Sequence, residues 1–171
     1  MSNPIQDQFD GLPDEIQWAL QRADGFMDLK MYSRARETLE AIPEQAQDSL
    51  PFRLHRLRLA MEEQTWQDAR RLAQALRNDL PGQPFLWIQF AYATRRCRSL
   101  DEAKAILLEA VSAFPEDALV PSNLSWYDCR LGELAEARAY LQNAITREPS
   151  FRALAMEDED LEPLWEEIED L

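Results

Sequence analysis

The chain has 171 residues, 46% of them hydrophobic, and a formal charge of −14. That length suits one ordinary domain or a short array, and four glycines against ten prolines favour helices punctuated by turns over sheets. So acidic a chain lacks the basic footprint that phosphate binding needs, which excludes nucleic acid as the main partner, and no run of about 18 apolar residues marks a membrane span.

Residues 1–13 read as a leader, in which Ile5, Phe9 and Leu12 can pack on the first helix while Pro4, Gly11 and Pro13 deny regular structure. A first helix is expected from Asp14 to about Lys30, with Trp18, Ala19, Arg22, Ala23 and Phe26 near one face. Its partner runs from Tyr32 to Ile42 and is closed by Pro43, leaving 44–49 as a linker. Three further pairs follow, at 51–63 with 66–79, 84–96 with 100–113, and 118–131 with 134–147. Pro81, Pro115 and Pro149 stop the second helix of each pair, because proline lacks an N–H and restricts the residue before it. The helix at Ser99 is the clearest of these. Ser99 and Glu102 fit a capping box, and Ala103, Ile106, Leu107, Ala110 and Val111 form one apolar face. After Pro149 a fifth unit begins at Ser150 and is interrupted by Glu157-Asp-Glu-Asp160. Leu161, Leu164, Trp165, Ile168 and Leu171 then make an amphipathic stripe backed by carboxylates, which is what a terminal cap needs.

Charge is unevenly spread. Nine of the 32 acids and no base lie in residues 156–171, leaving 23 acids against 18 bases elsewhere. Cys97 and Cys129 are too few for a disulfide framework, and with the single His55 they give too few soft ligands for zinc. No cofactor and no metal is expected. The four glycines form no phosphate-cradling cluster, and His55 has no nucleophile or paired carboxylate in its stripe, so no enzyme is expected. The first residues, Met1 to Asp10, lack the basic start and apolar run of a secretory signal, and a cytoplasmic protein is expected.

The pairs recur at a fixed period. Ala35, Ala69, Ala103 and Ala137 are each 34 residues apart, the mark of a stacked helical array. With that alanine as position 20, repeats span about 16–49, 50–83, 84–117 and 118–151. Position 17 is Tyr32, Trp66, Leu100 and Leu134; position 24 is Leu39, Ala73, Leu107 and Leu141; position 8 is Ala23, Leu57, Ala91 and Ser125. On these residues, with Trp87 at position 4 and proline at position 32 of repeats two to four, the chain resembles the tetratricopeptide repeat family over residues 14–156. Departures are Arg53 and Arg56 in repeat two and Pro121 at position 4 of repeat four; position 3 is apolar throughout, as Trp18, Phe52, Leu86, Val120 and Leu154. The resemblance implies an all-α solenoid of four helix-turn-helix repeats, with 157–171 as an acidic amphipathic C-terminal cap.

It also implies that the first helices line a concave, partner-binding groove through positions 2, 5, 6, 9, 12 and 13, which share one helical stripe. The candidate partner-binding residues are then His55, Arg58, Gln89, Tyr92, Arg95, Arg96, Asn123, Trp126 and Arg130. Arginine and aromatic residues are enriched at interface hot spots, and arginine captures carboxylate bidentately. These arginines either serve a ligand or pair with acids on neighbouring helices, such as Glu62 or Asp128; the sequence leaves both open. The five-residue carboxylate clamp of chaperone-binding members is not matched, since its positions hold Leu20, Asp24, His55, Phe85 and Gln89, or Leu54, Arg58, Gln89, Leu119 and Asn123 one repeat later. The acidic tail, tethered beside the groove, is able to enter it as an internal ligand as well as to cap the array.

The expected function is a non-enzymatic protein–protein interaction module, a scaffold or adaptor, binding a peptide or partner segment that is acidic or ends in a carboxylate. The alternative is a chaperone for a secreted or assembling partner. The sequence assigns no oligomeric state.

Overall fold

The computed structural model describes residues 11–168, all of whose regular elements are helical. The expectations for Ile5, Phe9 and Leu171 lie outside those residues. The chain divides into two compact units, Met1–Asp79 and Leu80–Leu171.

In the first unit, α1 (Asp14–Asp28) pairs with α2 (Tyr32–Glu40), and α4 (Leu50–Glu62) pairs with α5 (Trp66–Asp79). Both α1 and α2 also pack on α4. The segment expected as a linker contains one helical turn, α3 (Glu44–Gln47), because Pro43 is preset for a helix start. The buried face of α1 is Ile16, Leu20, Ala23 and Met27, displaced from the expected one. Trp18, expected with the core, is 68% exposed. Of the other position-3 residues, Phe52, Leu86 and Val120 are buried and Leu154 is 55% exposed.

In the second unit, α6 (Pro84–Cys97) pairs with α7 (Leu100–Ala113), and α8 (Leu119–Leu131) pairs with α9 (Leu134–Arg147). Next come α10 (Ser150–Glu157), a 3-10 helix (Glu159–Leu164) and the single turn α11 (Trp165–Ile168). Leu161, Leu164 and Ile168 are buried in one cluster with Leu141, Ala144, Ile145, Phe151 and Ala155. Trp165 Nε1 donates to the Ala155 carbonyl at 2.9 Å, and Arg152 Nη1 donates to the Ile168 carbonyl at 2.7 Å, which pins the tail further. The acidic segment thus turns its aliphatic stripe inward and leaves most of its carboxylates outside.

The 34-residue period has a direct packing cause. Ala35, Ala69, Ala103 and Ala137 are all 0% exposed, as are Leu39, Ala73, Leu107 and Leu141. A side chain larger than alanine at position 20 would have to be fitted into an interior packed at crystal-like density. The second helices of the last three pairs end two residues before their prolines, at Asp79, Ala113 and Arg147. Ser99 Oγ accepts the Glu102 N–H at 3.1 Å, the first half of the expected capping box. Pro121 lies in the first turn of α8, where a missing N–H costs nothing, and Asp117 Oδ1 accepts the Val120 N–H at 2.7 Å.

Candidate functional site

The candidate residues fall into two clusters, one in each unit. In the first, His55 on α4 is only 7% exposed, so it is not the open groove group the sequence led us to expect. Its Nδ1 lies 2.7 Å from the Pro51 carbonyl and its Nε2 lies 3.0 Å from Asp24 Oδ2 on α1. Arg58, one turn further along α4, donates through Nη1 to Asp24 Oδ1 at 2.8 Å and through Nη2 to Asp28. The acids facing Arg58 are therefore Asp24 and Asp28 rather than Glu62, which accepts the Tyr32 hydroxyl at 3.3 Å.

In the second unit, Arg95 on α6 lies over Trp126 and Tyr127 of α8 and over Tyr92 of its own helix. Its guanidinium carbon is 4.2 Å from the Trp126 ring centroid, 4.8 Å from Tyr92 and 6.0 Å from Tyr127. Cation–π contacts of this kind favour a guanidinium held flat on an aromatic face. Arg95 Nε is buried with no hydrogen-bond partner, and no described carboxylate pairs with this arginine. Trp126 Nε1 donates to Asp160 Oδ2 at 2.8 Å, and Arg130 Nη1 donates to Asp160 Oδ1 at 2.9 Å. A carboxylate of the tail thus occupies part of the predicted site, held by two of its residues.

Tyr92, Arg95, Asn123 and Trp126 line one open cavity of about 410 Å³, together with Leu154, Asp158, Asp160 and Leu161. Asn123 is tied back to the Leu119 carbonyl at 2.9 Å. Gln89 is half-buried and Arg96 exposed on α6, and neither lines the cavity.

Two features went unread in the sequence, and both were detectable at the repeat's own spacing. Asp24 and Arg58 are 34 residues apart, as are Trp126 and Asp160. Both pairs join position 9 of one unit to position 9 of the next. Position 21 is basic in every repeat, as Arg36, Arg70, Lys104 and Arg138. Arg36 bonds Glu63 at 2.5 Å and Arg138 bonds Glu167 at 2.7 Å. Lys104 bonds Glu133 and, at 2.9 Å, the fully buried Asp128. So Asp128, named from the sequence as a partner for the groove arginines, faces the opposite wall.

Burial pushes the Asp128 carboxyl up against the opposing pull of Lys104. Burial also pushes the Tyr127 phenol up, and lifts the Cys129 thiol to about 11 with help from Asp128. A thiol held there is not a nucleophile at neutral pH. Cys97 and Cys129 are both free, and no group of three or more metal-ligating side chains occurs among the described residues. No described helix is long and apolar enough to cross a membrane.

Fold and site together define an all-α helical-repeat protein with an aromatic and arginine-lined open face. No protein-family model matches the sequence, and no curated protein matches it. Among solved structures the chain is similar to residues 41 to the end of MamA from Desulfovibrio magneticus RS-1, at a TM-score of 0.67 and 14% identity over 80% of this chain and 77% of that one. It is also similar to MamA AMB-1, at a TM-score of 0.59 and 18% identity over 90% of both chains. MamA MSR-1 gives 0.58 and 18% over 90% of this chain and 94% of that one. These likenesses are of fold: an all-α solenoid of tetratricopeptide-like hairpins.

Proposed function

We propose that the protein is a non-enzymatic interaction module, a scaffold or adaptor, that binds an acidic partner segment on the face built from Tyr92, Arg95, Asn123, Trp126 and Arg130. The observation that carries this reading is the seat of Asp160: a carboxylate bonded at once to Trp126 Nε1 and Arg130 Nη1, beside an Arg95 that lies over Trp126 and pairs with no described carboxylate. A face that already holds one carboxylate in a two-point grip has the chemistry to hold another. His55 and Arg58 are engaged by Asp24 and Asp28, so they stay out of this assignment. The repeat fold fits the reading, since helical hairpins present extended binding surfaces rather than catalytic pockets.

Affinity capture with the full chain and with Arg95→Gln, compared by mass spectrometry, tests it. The wild type should retain a set of proteins that Arg95→Gln loses, while the melting temperature of the variant stays close to wild type. An identical captured set from both chains would remove the acidic-segment assignment.

A further inference from the structure

Arg58 and Arg130 each face acids, and among the described residues Arg95 faces none. Asp24 and Asp28 engage Arg58, and Asp160 engages Arg130. The Arg95 guanidinium has its carbon 4.2 Å from the Trp126 ring centroid and 4.8 Å from that of Tyr92. Its in-plane N–H edge is the part that grips carboxylate, and the side chain lines the cavity.

The rest of the lining decides what kind of acid fits. One wall is apolar: Leu154 is 55% exposed there, beside Phe151, Ala155 and Leu161. The other is anionic. Asp158 and Asp160 line the cavity itself, and Glu157, Asp158, Glu159 and Asp160 surround an adjoining open space of about 460 Å³. Asp158 is fixed in place, because its Oδ1 accepts the Asp160 N–H at 3.0 Å. Asp160 is fixed by Trp126 and Arg130. A ligand with a run of carboxylates therefore meets one open cation and a wall of like charge. A ligand with one carboxylate and an apolar neighbour meets the cation and Leu154.

Resting on the binding reading above, we propose that this cavity selects a partner segment carrying a single acidic side chain next to an apolar one, and that Asp158 and Asp160 form a selectivity wall that rejects acidic runs. Charge placed against a competitor is a general route to specificity. The tail displays the preferred pairing in its own sequence, since Asp160 enters the face and the adjacent Leu161 is buried.

Selection of random dodecapeptides displayed on phage, against the immobilised full chain, reads this preference directly. The expected enrichment is one Asp or Glu within two residues of Leu, Ile, Val, Phe or Met. The leading peptide should bind Arg95→Gln at least about tenfold more weakly, the scale of one charge-assisted hydrogen bond. A decaglutamate probe should bind the wild type more weakly than the selected peptide. It should gain affinity by several-fold in Asp158→Asn, and a gain cannot come from misfolding. Enrichment of acidic runs, or no gain by decaglutamate in Asp158→Asn, would overturn the selectivity and leave the acidic-segment reading standing. No enrichment, or peptides that bind Arg95→Gln as well as wild type, would overturn both.

Discussion

The two units build the same rung with opposite polarity. In the first, acids at positions 9 and 13 of one repeat, Asp24 and Asp28, receive the arginine at position 9 of the next, Arg58. In the second, donors at positions 9 and 13, Trp126 and Arg130, receive the acid at position 9 of the unit that follows, Asp160. Spacing along the chain is the same in both, 34 and 30 residues. Repeat geometry therefore fixes which positions meet, and the side chains decide only who donates. The consequence differs because the surroundings do. The first rung is closed by His55, which brings a buried ring to the same carboxylate. The second opens onto a cavity, with Arg95 beside it paired to no described carboxylate.

The back walls of the units differ more sharply, and there the largest effect is expected. Arg36 meets Glu63 at the surface of the first unit, whereas Lys104 in the second bonds Asp128, which is 0% exposed. Removing one partner of a buried pair strands the other charge, typically at about 3–5 kcal/mol. Lys104→Met should cost about 3 kcal/mol at pH 7, measured by urea unfolding. Burial already raises the Asp128 carboxyl, and without Lys104 it rises further. A group whose folded pKa lies above its unfolded value adds stability below the unfolded pKa and loses it as pH rises through the folded one. Lys104→Met should therefore regain stability as pH falls from 7 toward 4. A flat profile would mean that Asp128 is not the stranded group.

A smaller difference separates the front rungs. Asp24→Ala removes the carboxylate that faces both the buried His55 ring and Arg58, and should cost about 1–3 kcal/mol. Asp160→Ala frees Trp126 Nε1 and Arg130, both with access to water, and should cost about 1 kcal/mol or less. It should also shift the tryptophan emission, which Asp24→Ala should leave unchanged. Equal costs in the two variants would show that burial of the partner does not set the price of the rung.

Much of this was legible from one column of alanines. A strict period fixes the hairpins, and Ala35, Ala69, Ala103 and Ala137 are all fully buried. Within the candidate site, Tyr92, Arg95, Asn123 and Trp126 do share a cavity, because helical stripes keep positions 6, 9 and 12 on one side. The terminal repeats were read less well. Trp18 and Leu154 share the register of the buried Phe52, Leu86 and Val120 yet are exposed, since register alone does not say what covers a face. The state of each arginine was not legible on its own helix either. Asp24 and Asp160 come from adjacent units, and reading them needs the 34-residue offset applied to charge as well as to size.

The smallest expected effect separates the turns that close the hairpins. Position 15 is left-handed at Lys30 and Gln64 in the first unit, both with φ of 58°, and at Gly132 in the second, with φ of 79°. Only the last is a residue suited to that backbone. A residue with a Cβ is strained there by roughly 1–2 kcal/mol, and glycine returns about 0.5–1 kcal/mol of this through its freer unfolded chain. Lys30→Gly and Gln64→Gly should each stabilise the protein by about 0.5–1 kcal/mol. Gly132→Ala should destabilise it by about the same amount, and strain alone is responsible, because a Cβ built at Gly132 meets nothing within 4 Å. Thermal melts of the three variants decide the matter. If the glycines at 30 and 64 fail to raise the melting temperature, the two side chains compensate their strain with contacts of their own, and the turns of the first unit are held differently from the turn at Gly132.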